Sequence, residues 1–199
     1  MLLLTITSHT APTPLPAPAD GLSVSQVTLG RGTQNYTCAS DTAADKPEAI
    51  GAVATLFNVT CIAGDFPYLL NTMTRISLNY PLPTGDRGDA RSNKFIAGNH
   101  FFRDSTPIFD LNTANHQLGI VAVEKIDAQP APEDSVDGQY GDGFGAVKWL
   151  KLGAASDTEE NDWQEVYRIE TAGGKPPATC QDQPSTFEIE YAAQYWFFN

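Results

Sequence analysis

Charge is scarce in this chain and runs one way. Charged residues are 18% of the 199, against about 25% in an average domain. The 24 acidic residues outnumber 12 lysines and arginines, for a formal net charge of -12 and a pI near 4.4. That balance argues against nucleic acid, whose phosphates need a cationic surface, and against an anionic membrane surface. No run approaches the roughly 18 apolar residues of a membrane span. The three cysteines, Cys38, Cys61 and Cys180, include no Cys-x-x-Cys spacing, so neither zinc nor a redox dithiol is implied. No G-x-S-x-G elbow for a serine hydrolase occurs.

The glycine motif of a dinucleotide site is missing as well. Gly30-Arg31-Gly32 lacks the third glycine, Gly141 to Gly145 has the wrong spacing, and both precede strand-like runs. No βαβ alternation is visible, so a NAD-dependent dehydrogenase is rejected. Asp134, Asp137 and Asp142 lie among glycines without calcium-loop spacing. Glu159, Glu160 and Asp162 read as a charged loop tip and not as a glycosidase pair. A copper site of the polysaccharide-oxidising kind needs a mature N-terminal histidine, and no cleavage signal precedes His9. No metal and no cofactor is expected. Arg87-Gly88-Asp89 spells an integrin motif and reads as a turn.

Apolar residues are 41% and aromatics 10% of the chain, enough to build a core in one domain. Residues 1–20 read as a Pro-rich N-terminal arm. It begins with MLLLTIT, a fragment of a signal-peptide core without its basic flank. Residues 21–199 read as a single all-β domain.

LSVSQVTL (22–29) and TQNYTC (33–38) read as strands separated by a Gly30-Arg31-Gly32 turn. In the second, Gln34, Tyr36 and Cys38 share one face and Asn35 points away. IGAVATLFNVTC (50–61) reads as a central strand with Cys61 opposite Asn58. Two N-glycosylation sequons, at Asn35 and Asn58, therefore fall away from their cysteines. That parity predicts glycans at both asparagines and a Cys38–Cys61 disulfide, contributing about 3 kcal/mol. FPYLLNTMTRISL (66–78) carries helical spacing. KFIAGNHFF (94–102) reads as a strand broken at Gly98, PIFDL (107–111) and QLGIVAVEKI (117–126) as further strands, and 127–145 as a long loop.

The C-terminal third carries all three tryptophans, Trp149, Trp163 and Trp196. Phe187, Ile189 and Tyr191 alternate with Glu188 and Glu190, and from Ala192 both faces are apolar. Strands at this spacing predict a β-sandwich or flattened antiparallel barrel with one short helix.

The motifs GRGTQNYTC (30–38), AIGAVATLFNVTC (49–61), GNHFF (98–102), TPIFDL (106–111), VKWLKL (147–152), VYRIETAGGKPPATC (166–180) and FEIEYAAQYWFF (187–198) occur in order across nearly the whole chain. In that combination the sequence resembles a family of secreted proteins of unknown function. The family is abundant in filamentous fungi, has shorter bacterial relatives, and its fungal members often carry the label malate dehydrogenase. The resemblance implies a secreted all-β domain and no established reaction. Fungal relatives usually carry a further cysteine near the mature N-terminus. Its lack here leaves Cys180 without that partner, and a misplaced gene start would account for this and for the incomplete signal.

Few residues carry chemistry. His100, between Asn99 and Phe101, is the candidate base or ligand, with Asp104 and Asp110 near it in sequence. Trp163, after the acidic loop, is the aromatic expected to be exposed for sugar stacking. Gly173 and Gly174, ahead of Pro176-Pro177, form a bend that is either structural or a binding loop. The leading expectation is an extracellular or cell-wall-associated glycoprotein that binds a glycan or small molecule without catalysis. An extracellular enzyme with a site near His100 and a structural surface protein are the alternatives. Oligomeric state is left open.

Overall fold

The computed structural model describes residues 13–83, 94–156 and 161–199. Eight antiparallel strands follow one another around a closed barrel: β1 Val24–Thr37, β2 Glu48–Asn58, β3 Ile96–Arg103, β4 Thr106–Asn112, β5 Gln117–Gln129, β6 Trp149–Ala154, β7 Glu165–Gly173 and β8 Thr186–Phe198. The ring closes where β1 pairs with β8, from Val24 opposite Phe198 to Thr37 opposite Thr186. Two short helices, α1 Thr60–Asp65 and α2 Pro67–Ser77, sit on the outside between β2 and β3. Of the two all-β architectures expected, the barrel is the one formed, and closure leaves no free sheet edge.

The strand alternation explains the double-faced C-terminus. Tyr191, Ala193, Tyr195 and Phe197 point into the lumen and join its core. Trp196 and Phe198 point outward and pack with Trp149, Tyr167, Ile169 and Leu70. That second cluster is covered by α1, α2 and residues of the N-terminal arm, Leu15 among them. The arm is held by backbone acceptors. Lys151 donates to the Ala17 carbonyl at 2.7 Å, and Tyr167 donates to the Pro16 carbonyl at 2.8 Å. Beneath it Lys151 and Glu165 form a buried ion pair at 3.0 Å.

Four local expectations change. Gly30-Arg31-Gly32 is not a turn but the middle of the 14-residue β1. Glycine is required there by crowding: a Cβ on Gly30 would lie 2.6 Å from the Tyr195 ring, and one on Gly32 would lie 1.8 Å from the Val53 carbonyl oxygen. Arg31, 3% exposed, anchors the end of α2. It donates to the carbonyls of Ser77, Leu78 and Tyr80 and pairs with Glu190.

Gly98 likewise lies within β3 and does not break it. The run 50–61 leaves the sheet at Asn58 and turns into α1, so there are two helices, not one. The Thr60 hydroxyl accepts from the Val27 N–H at 3.0 Å and the Asn58 side chain accepts from the Thr60 N–H at 3.1 Å. Pro67 then opens α2, where its fixed φ and missing N–H cost nothing.

The fourth correction is the disulfide. Cys38 bonds Cys180, 142 residues away, with Cα atoms 5.7 Å apart. Cys61 stands free and exposed on α1. The β1–β8 register decides this. It carries the chain past Thr37 alongside Ser185, whose carbonyl accepts from the Cys38 N–H at 2.9 Å. The segment before β8 therefore folds back over the end of β1. Among the described residues no helix is long and apolar enough to cross a membrane.

Candidate functional site at the open end of the barrel

An eight-stranded barrel has a lumen just wide enough to be filled by side chains. Here aromatic residues fill much of its length. Trp163 meets Phe197 at 4.8 Å between ring centroids, Phe197 meets Phe109 at 5.5 Å, and Phe109 meets Tyr195 at 5.0 Å. His100 stacks on Phe109 at 4.3 Å, and the hydroxyls of Tyr191 and Tyr195 share a hydrogen bond of 2.8 Å.

The three catalytic candidates are not brought together. His100 is buried in this aromatic column with Nδ1 2.9 Å from the Ile108 carbonyl. Burial lowers its pKa to about 4, helped by the nearby Arg168 cation and opposed by the Ile108 hydrogen bond. It is a neutral packing residue and not a base at a cleft. Asp110, in register beside Asn99 and not His100, accepts from the Asn112 N–H at 2.9 Å. Asp104 is exposed in the β3–β4 turn, with φ of 55°.

Trp163 is also displaced from its expected role. It is 3% exposed, and its indole N–H donates to the Ser25 hydroxyl at 2.8 Å. A sugar-stacking platform at Trp163 is ruled out by that burial. Of the sequon asparagines, Asn58 is exposed and Asn35 is half-buried. Glu159, Glu160, His9, the Arg87-Gly88-Asp89 motif and the 1–7 signal fragment lie outside the described residues.

The column stops short of the end where β1, β5 and β7 finish. A cavity of about 740 Å³ opens there, within the range of small-molecule sites. Gln34 and Tyr36 of β1, Lys125 and Ala128 of β5, Leu150 of β6 and Arg168 of β7 line it. Residues 130–133, Ser135, Asp137 and residues 145–148 form its far wall, and Lys175 and Pro176 stand at its rim.

That rim is well braced. The Val147 N–H donates to the Gly173 carbonyl at 2.9 Å, the Gly173 N–H to Val136 at 2.8 Å, and the Lys175 N–H to Gly145 at 3.1 Å. Tyr36 donates its hydroxyl to the Gly174 carbonyl at 2.7 Å. Burial raises the Tyr36 pKa to about 12, against the pull of Arg168, so it stays a neutral donor. Gly173 and Gly174 both adopt positive φ, 65° and 88°, a region open to glycine. A Cβ on Gly174 would lie 2.8 Å from Tyr191 and 3.0 Å from Val147. The glycine pair thus shapes the rim and does not itself line the cavity.

Between cavity and column sits Arg168. On the lumen side of β7, it lies opposite Leu150 and Tyr195. Its Nε and Nη2 donate to the Lys148 carbonyl at 3.2 and 2.9 Å. Its charge pulls down the pKa of Tyr36, His100, Tyr191 and Tyr195, so one cation is felt along the whole upper lumen. Burial nevertheless raises Tyr191 and Tyr195 above the ordinary phenol value.

Gln34, 7% exposed, keeps its amide nitrogen near the Tyr191 hydroxyl and lowers the pKa of that group. Yet no acceptor meets the Gln34 Nε2 in hydrogen-bonding geometry. A buried donor of that kind costs roughly 1–3 kcal/mol unless something accepts from it.

Sequence reasoning missed Arg168, which falls in an apolar run. It did place Gln34 on the face of Tyr36 and Cys38, and a polar residue in that phase was the available signal. No curated protein and no solved structure matches the chain. A family described as "Protein of unknown function (DUF3455)" matches residues 18–199.

Proposed function

The chain belongs to the DUF3455 family, which brings no activity with it, and we propose that the protein is a non-enzymatic binding domain whose site is the open barrel end. It works outside the cell or in the wall, as a secreted glycoprotein modified at Asn35 and Asn58. One observation carries the reading. The cavity is large, braced and polar at its floor, while His100 is buried against aromatic rings. A rigid rim around a preformed cavity suits binding, because little freedom is lost when the ligand enters. The Cys38–Cys180 disulfide supports the compartment, since such bonds persist in oxidising surroundings.

The test is a melting-temperature screen of the intact chain. Its library holds neutral and acidic oligosaccharides, amino acids and di- and tricarboxylic acids. Ala128 lines the cavity, so Ala128→Trp fills the opening. Hits are expected to stabilise the native chain and to lose that effect in Ala128→Trp. Hits that stabilise both proteins equally, or no hit at all, would overturn the assignment.

A further inference from the structure

Charge at the barrel opening runs against the charge of the chain. Over the whole sequence acidic residues outnumber basic ones two to one, 24 to 12. The cavity reverses that ratio, with Lys125, Lys148, Arg168 and Lys175 against Glu133 and Asp137. Among the described residues none of these four cations is ion-paired, the pairs being Arg31–Glu190, Arg75–Asp134 and Lys151–Glu165. Lys175 lies over Gly145, its Cδ 3.1 Å from where a Cβ would stand, and the Asp137 carboxylate flanks the same glycine. The outer cations are thus partly balanced, and Arg168 at the floor is the one held by the fold.

We infer that the cavity binds a small molecule through a carboxylate group, received by the Arg168 guanidinium and the Gln34 amide. The inference rests on the binding reading above and names its ligand chemistry. Arg168 spends two N–H donors on the Lys148 carbonyl and another on the Tyr195 hydroxyl, leaving two of its five for other acceptors. A planar guanidinium matches a carboxylate in two parallel hydrogen bonds. The Gln34 Nε2, buried without an acceptor, gains one from the same ligand. Glu133 and Asp137 at the wall repel two charges concentrated on one group, as in a dianionic phosphate, more strongly than single charges spread over separate carboxylates. A cavity of about 740 Å³ leaves room for the rest of the ligand beyond its acid group. A uronic sugar and a free organic acid share this chemistry.

Amide NMR of the full isotope-labelled chain separates the outcomes. The probes are trigalacturonate, tricarballylate, galactotriose as the neutral sugar, and inorganic phosphate. A carboxylate probe is expected to shift Gly145, Ala146 and Gly174, with affinity at least ten-fold lower in Arg168→Gln. Response to trigalacturonate alone identifies a sugar acid, and response to tricarballylate alone a free acid. Galactotriose or phosphate binding as tightly, or an unchanged affinity in Arg168→Gln, overturns the carboxylate assignment while the binding site stands. If no probe moves the rim amides, both readings fall. Should Arg168→Gln not fold, the exposed pair Lys125→Gln/Lys148→Gln replaces it, with a smaller loss expected and no loss counting against the charge argument.

Discussion

His100 shows how one environment sets the role of a residue. On the strand it looked like a base. In the lumen it is stacked on Phe109, tied to Ile108 and held neutral, with its pKa lowered to about 4. A histidine whose folded pKa is depressed is protonated first in the unfolded chain. Stability from this residue is therefore complete above pH 6.5 and lost as pH falls towards 4, by roughly 3 kcal/mol if the full shift is expressed. His100→Phe removes the titrating group while keeping a ring in the column. Urea unfolding from pH 7 to 4 is expected to show a shallower acid loss in His100→Phe than in the native chain. Parallel curves would mean that His100 is not the group responsible.

The N-terminal arm shows what a segment without regular structure can contribute. Its composition suggested only an extended chain. Its carbonyls at Pro16 and Ala17 accept from Tyr167 and Lys151, and Leu15 packs on the outer aromatic cluster. Removing residues 1–20 would strip those acceptors from two buried donors and open the Lys151–Glu165 pair to water. The expected loss is roughly 2–4 kcal/mol, from two hydrogen bonds and one apolar side chain. The check is the urea midpoint of the shortened chain, and an unchanged midpoint would deny the arm its role. The strands teach the complementary lesson. Alternation is clear at 33–37 and 187–191, within β1 and β8, because a side chain on a strand must choose between two faces. It placed a turn at Gly30–Gly32 and a break at Gly98 because glycine usually punctuates. Here those glycines admit the Tyr195 ring and neighbouring backbone, contacts that no local pattern carries.

At the scale of the molecule, the first and last strands close the ring, and the disulfide fastens the same seam. Cys38 and Cys180 enclose a loop of 142 residues, and crosslinking a loop that long restricts the unfolded chain more than the expected Cys38–Cys61 bond would. The double change Cys38→Ser/Cys180→Ser is expected to cost about 2–5 kcal/mol, read from thermal and denaturant unfolding. Cys61→Ser should be near neutral, since the thiol is exposed. A large effect of Cys61→Ser with none from Cys180→Ser alone would restore the pairing expected from strand parity.

By itself the sequence determined the all-β class, the approximate course of several strands, the α2 helix and the acidic, cation-poor composition. These follow from period and composition, which are local quantities. It also put Gln34 and Tyr36 on one face, a fragment of the site. Tertiary structure alone decided that the sheet closes, which cysteines meet, that His100 and Trp163 are buried, and that Arg168 stands at the floor of a cavity. Each of those depends on which strand lies beside which, and the deciding contact, β1 against β8, joins residues more than 140 positions apart, among them Thr37 and Thr186. Local alternation assigns a side chain to a face, and only closure of the ring determines whether that face meets solvent, a packed lumen or an open cavity.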